Sequence, residues 1–183
     1  SRMSWGLKFD GGNDYTTAAA WNPTALGFSF GMEFIAGALT QNIMDGTYTK
    51  GIYVRAVPGT GDLFVWYSNT RMYVTVPTVT FTNGVTYKVE GFVYADGSAK
   101  VFVDNVEVSS IGAGSHTLGS GATALTFSKT TFASSNFSDF TLLSAWVTDD
   151  TTPSNSRIYS PDASTHTAGT VTLVETIGSN DAS

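Results

Sequence analysis

Apolar and polar residues alternate along most of this chain. Val89, Gly91 and Val93 alternate with Lys88, Glu90 and Phe92, and Ala99, Val101 and Val103 alternate with Lys100, Phe102 and Asp104. A period of two marks a strand with one buried face. Asp96-Gly97 and Asp104-Asn105 are expected to form two-residue turns, since Gly, Asn and Asp tolerate the positive φ that primed turns require. No stretch sustains a 3.6-residue period. Val, Thr, Phe and Tyr dominate the regular segments, as in strands. The pattern predicts strands at 7–9, 28–35, 51–57, 62–67, 71–76, 86–94, 99–104, 106–109, 123–127, 137–147 and 171–176. Strands recurring at about ten-residue intervals between Gly, Asn, Asp, Ser and Pro describe an antiparallel sandwich. Two long loops are expected, at 110–122 and 148–170. Val171–Ile177 is expected to return as an edge strand or to pair with a neighbouring chain, because an unpaired edge invites strand addition.

Parity sorts the middle strands into two faces. Ile52, Val54, Ala56, Leu63, Val65, Met72, Val74 and Val76 are expected to face the core. Tyr53, Arg55, Phe64, Trp66, Arg71 and Tyr73 then share the outward face, with Phe92, Tyr94 and Phe102 extending it. Aromatic residues mixed with Arg on a sheet surface mark binding faces. Aromatic rings stack on the C–H faces of sugars, and Arg, Asn and Asp bond their hydroxyls, so the six residues form a candidate glycan site centred on Trp66. Three other assignments stay open from sequence: reversed parity, a face covered by the chain's own loops, or a subunit interface, whose composition shows the same enrichment.

Composition narrows the function. The 183 residues are 42% hydrophobic and 13% charged, a globular balance compatible with one domain spanning 1–183. No run approaches the roughly 18 apolar residues of a membrane span. A net charge of −6, with nine scattered Lys and Arg, argues against nucleic acid as a partner. The absence of Cys excludes a disulfide framework. Asp10, Asn13 and Asp14 offer hard oxygen ligands for Ca²⁺ in a Gly-rich loop. Asp and Asn also serve as plain turn formers, and that alternative is favoured. Asp149-Asp150 is expected in a solvated loop. His116 and His166 fall in Gly/Ser/Thr-rich loops, and no G-x-S-x-G, phosphate-loop or H-E-x-x-H motif is present.

Two stretches carry a resemblance. Phe9-Asp10-Gly11-Gly12-Asn13-Asp14-Tyr15 and the hairpin segment Tyr87–Val108 together resemble the concanavalin A-like, laminin G-like sandwich family. There an F-D-G-x-x-D-Y opening precedes a core hairpin ending in Y-V-D-G. The likeness runs from about Leu7 to Trp146. It departs at Leu142 and Leu143, where the family carries an acidic pair, and at Asn105, where it carries Gly. It implies an all-β, two-sheet antiparallel β-sandwich (jelly roll), with residues 148–183 as an extension. Glucanases of the same superfamily carry Glu-x-Asp-x-Glu on one strand face, with retaining chemistry needing the two carboxyls about 5 Å apart. Glu33, Glu90, Glu107 and Glu175 have no acidic neighbour two residues away, so no enzyme is expected. The resemblance implies a non-catalytic, lectin-like, carbohydrate-binding module. Ser1-Arg2 reads as a remnant of expression cloning, and Met3 reads either as the initiator or as an internal methionine of a larger protein. With Met3 as initiator there is no signal peptide, and a Cys-free, lectin-like domain made that way is what a component of a phage virion or another extracellular surface is expected to look like. The alternative is a structural virion protein, a capsid decoration or tail component, that acts through protein contacts and as a homo-oligomer.

Overall fold

The computed structural model describes residues 6–12, 14–38, 42–45, 53–57, 62–67, 70–74, 79–115, 117–118, 125–128, 138–161 and 173–178, some of them by backbone alone. Two antiparallel sheets hold all fourteen of the described strands. The larger contains β1 (Leu7–Asp10), β3 (Phe28–Ala36), β8 (Thr86–Val93), β9 (Ala99–Val103), β10 (Val106–Ile111), β12 (Asp139–Asp149), β13 (Ser156–Pro161) and β14 (Leu173–Gly178). Its order is β10-β9-β8-β3-β12-β13-β14, with β1 also on β12. The smaller contains β2 (Thr16–Ala18), β4 (Asn42–Asp45), β5 (Tyr53–Val57), β6 (Asp62–Tyr67), β7 (Thr70–Val74) and β11 (Leu125–Phe127), in the order β2-β11-β4-β5-β6-β7. The expected fold class holds: this is a two-sheet antiparallel sandwich.

The core follows from strand parity. Phe28, Phe30, Met32, Phe34, Val89, Val93, Ala99, Val101, Phe140, Leu142, Ala145 and Val147 of the larger sheet are buried. They meet Met44, Val54, Val65, Leu125 and Phe127 of the smaller one in a common cluster. Gly91 marks how closely the layers approach. A Cβ there would lie 2.8 Å from Phe30 Cζ and 3.1 Å from Val65 Cγ1, so hydrogen is the only side chain that fits without a shift.

Both hairpin turns of the Tyr87–Val108 segment form, by different means. Asp104 and Asn105 have φ of 50° and 68°, the pair of left-handed residues that a two-residue primed turn requires, and Val103 pairs with Val106. The expected two-residue turn at Asp96-Gly97 is corrected. Tyr94 N donates to Ser98 O (2.8 Å) and Gly97 N to Tyr94 O (2.9 Å), with Gly97 alone left-handed at φ 82°. That is a three-residue loop closed by a glycine. Asp96 Oδ1 braces it, accepting from Ser98 N (2.9 Å) and Ser98 Oγ (2.6 Å).

Other expectations also change. The segment 148–170 is not one loop, because Ser156–Pro161 forms β13 and pairs with β12 from Ala145 to Val147. β2 and β4 are additional short strands, and β10 continues to Ile111 into the expected loop 110–122. Of the segment expected to return as an edge strand, 171–172 lie outside the described residues, and Leu173–Gly178 forms β14, pairing with β13 from Ser156 to Pro161.

Candidate functional site

The smaller sheet carries the predicted site, and its register decides which residues share a face. Val54 opposes Val65 and also Met44, and Val54 and Val65 are each only 1% exposed. The core face is therefore the one expected, which settles the question of reversed parity. On the opposite face, Tyr53 opposes Trp66 and Trp66 opposes Arg71; one pair further, Arg55 opposes Phe64 and Phe64 opposes Tyr73. The six residues thus form two adjacent cross-strand rows on β5, β6 and β7. Directly opposed residues of this kind lie within about 4.5–5.5 Å at Cβ, close enough to act as one surface. On β4, Asp45 joins the first row opposite Tyr53, and Asn42 joins the second opposite Arg55.

Arg55 is half-buried. Its Nε is shut off from solvent and has no hydrogen-bond partner. A buried donor on a cation without a partner is costly, so such groups are rare.

The expected extension of this face is corrected. Phe92 and Phe102 lie on β8 and β9 of the larger sheet, on its outward side, with ring centroids 5.5 Å apart in an edge-to-face contact. Tyr94 is exposed at the turn that follows β8. These aromatics belong to a separate surface across the sandwich. On that surface Trp146 opposes Gly31 on one side and Ile158, 45% exposed, on the other. A Cβ at Gly31 would lie 2.7 Å from Trp146 Cζ2, so the indole lies across the glycine backbone. An open groove of about 270 Å³ is lined by Glu33, Thr86, Tyr87, Lys88, Asp104 and Asn105. Lys88 Nζ donates to Asn105 Oδ1 (2.5 Å) and pairs with Glu90 (3.3 Å).

The candidate metal loop splits. Asp10 Oδ1 accepts Gly12 N at 2.8 Å, a turn-forming bond of the kind Asp supplies. Asp14 is exposed, and Asn13 lies outside the described residues. Among the described residues there is no cluster of three or more His, Cys, Asp or Glu arranged to hold an ion.

Asp149 is the most consequential polar residue that sequence reasoning misplaced. It is not in a solvated loop; it is fully buried at the end of β12. Its Oδ2 accepts Thr24 N (2.7 Å), Thr24 Oγ1 (2.9 Å) and Asn155 Nδ2 (2.9 Å), and its Oδ1 accepts Thr151 N (3.1 Å) and Thr152 N (2.9 Å). Asn155 also gives its amide to Asn22 O (2.7 Å), and its own carbonyl accepts Trp21 Nε1 (2.6 Å). The carboxylate thereby clasps the segment before β3 to the short 3₁₀ turn Pro153–Asn155. Burial works to raise its pKa, but the bonds from Asn155, Thr24 and Thr152 outweigh it and hold the carboxyl below its ordinary value. Asp150, exposed beside it, is pushed up by desolvation and by the charge on Asp149. Its role is structural.

No protein-family model matches the chain, and no curated protein does. Solved structures do match. Domains LG4-5 of the mouse laminin alpha1 chain superpose with a TM-score of 0.56 at 12% identity, over 79% of this chain and 41% of that one. The enzymatically active domain of bacteriophage CBA120 tailspike protein 2 superposes with a TM-score of 0.54 at 11% identity, over 79% of this chain and 27% of that one. The chain thus spans less than half the length of either. At these identities the likeness is one of fold, a concanavalin A-like jelly-roll sandwich.

Proposed function

We propose that this chain is a non-catalytic, lectin-like recognition module that contacts glycans through the outward face of the smaller sheet. The observation that carries the reading is the cross-strand register: it gathers Tyr53, Phe64, Trp66, Tyr73, Arg55 and Arg71 on one face while Val54 and Val65 hold the other against the core. Aromatic surface for stacking beside planar hydrogen-bond donors is the chemistry a sugar requires. The jelly-roll likeness is compatible with this. Two ion pairs support a non-catalytic role. Glu90 is tied to Lys88 at 3.3 Å and Glu107 to Lys100 at 3.2 Å, both on the larger sheet, away from the aromatic face. The setting we propose is a phage particle or another extracellular surface. Neither nucleic acid nor a membrane interior is proposed as a partner; no helix among the described residues is long and apolar enough to cross a bilayer.

The test is a glycan array probed with the native chain and with Trp66→Ala. We expect glycan hits that the substitution abolishes; hits that survive it would remove this face from consideration. A second reading, a structural virion component working through protein contacts, is favoured by β14, which ends the larger sheet as an edge strand. Sedimentation separates the two. A monomer with glycan affinity supports the first, and a stable oligomer with no glycan hit supports the second.

A further inference from the structure

Glu33 is the anomalous acid of the larger sheet. By register it stands opposite Lys88 on β8, a placement from which opposite charges ordinarily pair. Here they do not. Lys88 Nζ turns instead to Glu90 (3.3 Å) and to Asn105 Oδ1 (2.5 Å), and among the described residues no hydrogen bond or ion pair reaches the Glu33 carboxylate. Glu33 is half-buried and lines the groove of about 270 Å³. A carboxylate partly withdrawn from water without a donor gains from a ligand that supplies one. The rest of the groove is held in place. Tyr87 packs edge-on against Phe81, and its hydroxyl accepts Thr82 N (2.8 Å), keeping its own proton to donate. Asp104 Oδ1 accepts Lys88 N (2.8 Å), which leaves Oδ2 as a further acceptor. Asn105 stands where the resembling family carries Gly. Its φ of 68° is one that Gly adopts without strain, yet the side chain present gives its carbonyl to Lys88 and keeps its amide hydrogens to donate. That departure walls the groove and draws Lys88 away from Glu33.

We infer that this groove is a saccharide subsite selective for a sugar that carries a free, protonated amine. It stands apart from the reading of the smaller sheet, because its residues belong to the larger sheet and its β9–β10 turn. The volume suits one pyranose ring rather than a larger ligand. Acceptors on Glu33 and Asp104 lie among donors on Asn105 and Tyr87, a mixture that matches hydroxyls, which both give and take hydrogen bonds. Charge then selects among sugars. Three carboxylates, those of Glu33, Glu90 and Asp104, stand beside the one ammonium of Lys88, so an anionic sugar is disfavoured and a cationic one favoured. These acids are not gathered as a metal-holding cluster, so the charge that answers Glu33 is an organic ammonium. A lysine side chain would bring that charge, but none of the hydroxyls that Asn105 and Tyr87 are placed to meet.

The experiment compares matched ligands. The native chain, Glu33→Gln, Asn105→Gly, Glu107→Gln and Trp66→Ala are titrated with a glucosamine tetramer, with its N-acetylated counterpart and with tetralysine, in mildly acidic buffer that keeps the amines protonated. The native chain is expected to prefer the free-amine sugar over the acetylated one by at least about tenfold, the scale of one charge-assisted hydrogen bond. Glu33→Gln should abolish that preference. Asn105→Gly should reduce it as well, since it removes one wall and releases Lys88 to pair with Glu33. Glu107→Gln deletes the same charge on exposed β10, outside the groove, and should leave the preference intact. Trp66→Ala should also leave it intact, whatever it does to binding on the smaller sheet. Equal loss in Glu33→Gln and Glu107→Gln would mean general attraction of a polycation to an acidic chain, and overturns the inference. So does a preference that Trp66→Ala removes, or the absence of any preference; tetralysine bound as tightly and lost with Glu33→Gln would make the groove a peptide site and overturn the saccharide assignment. Thermal denaturation is the second readout. Glu33 has no partner to lose, so Glu33→Gln should leave Tm unchanged or slightly raised. A Tm lowered by about 4 °C or more together with lost preference would make Glu33 a structural residue and sink the proposal.

Discussion

A carboxylate that accepts five hydrogen bonds holds its surroundings more firmly than any single apolar contact. Asp149 joins Thr24, Thr151, Thr152 and Asn155, and replacing it by Ala leaves these part-buried donors without their common acceptor. We expect Asp149→Ala to cost about 3 kcal/mol, seen as a Tm lowered by roughly 6–12 °C in calorimetry. Asn at this position keeps one acceptor oxygen but turns an amide toward donors, so Asp149→Asn should recover little of that loss. Because its folded pKa lies below the ordinary 3.8, the stabilisation is complete above about pH 4 and is lost as pH falls through the lowered value. Acid titration of stability should therefore steepen below pH 4 in the native chain and flatten in Asp149→Ala. At Gly91, Ala would press on Phe30 and Val65, and a loss of about 1–3 kcal/mol is expected in urea denaturation. The two residues differ in legibility. Gly91 sits in the inward alternation of its strand and can be read there. Asp149 cannot, because β12 pairs Leu142 with Phe34 and then Ser144 with Glu33, leaving Leu143 as an extra residue. The inward positions are Phe140 and Leu142 before that bulge and Ala145, Val147 and Asp149 after it. Alternation counted from Phe140 puts Asp149 on the wrong side.

Elements were legible in proportion to their length and their turn chemistry. β8, β9 and β10 follow from alternation and from Asp-Gly and Asp-Asn. β6 matches its predicted bounds, and β3 and β12 are offset by two residues or fewer at either end. β2, β4 and β13 were not legible. Each is six residues or fewer, and in β13 the buried Tyr159 lies between exposed Ile158 and half-buried Ser160, inside a Thr- and Ser-rich stretch. Only pairing with β12 makes it a strand, and pairing is a property of the whole sheet. The outward rows on β5–β7 were legible because parity needs no knowledge of the partner strand. The orphaned Nε of Arg55 was not, since it depends on what surrounds the side chain. The turn at Asp104-Asn105 offers a local test. Val tolerates left-handed φ poorly, so Asn105→Val should cost about 1–2 kcal/mol in thermal denaturation, whereas Asn105→Gly should be close to neutral. The Asp10 loop offers another: with its carboxylate already engaged by Gly12 N, Tm should be the same in excess Ca²⁺ and in chelator.

At the scale of the molecule, two differently furnished surfaces lie back to back. One carries the aromatic and Arg rows of the smaller sheet; the other carries Trp146 across Gly31, the Phe92–Phe102 contact and two Lys–Glu pairs. A net charge of −6 spread over both favours a dispersed particle over one that gathers polyanions. What ties the larger sheet together is β12, whose one edge is filled by β3 along most of its length and whose other edge is shared, β1 taking residues 139–142 and β13 taking residues 145–147. That sharing has a temporal meaning. β1 is the first described strand to leave the ribosome, yet its partner is made some 130 residues later, and β13 and β14 can dock only after that. The larger sheet closes from both directions onto a strand synthesised late, so long-range loop closure sets the pace of folding, in the millisecond-to-second range of β-sandwiches. A nascent chain stopped before residue 139 holds β1 and β3 with open edges, and such a fragment should be more protease-sensitive and more prone to associate than the whole chain.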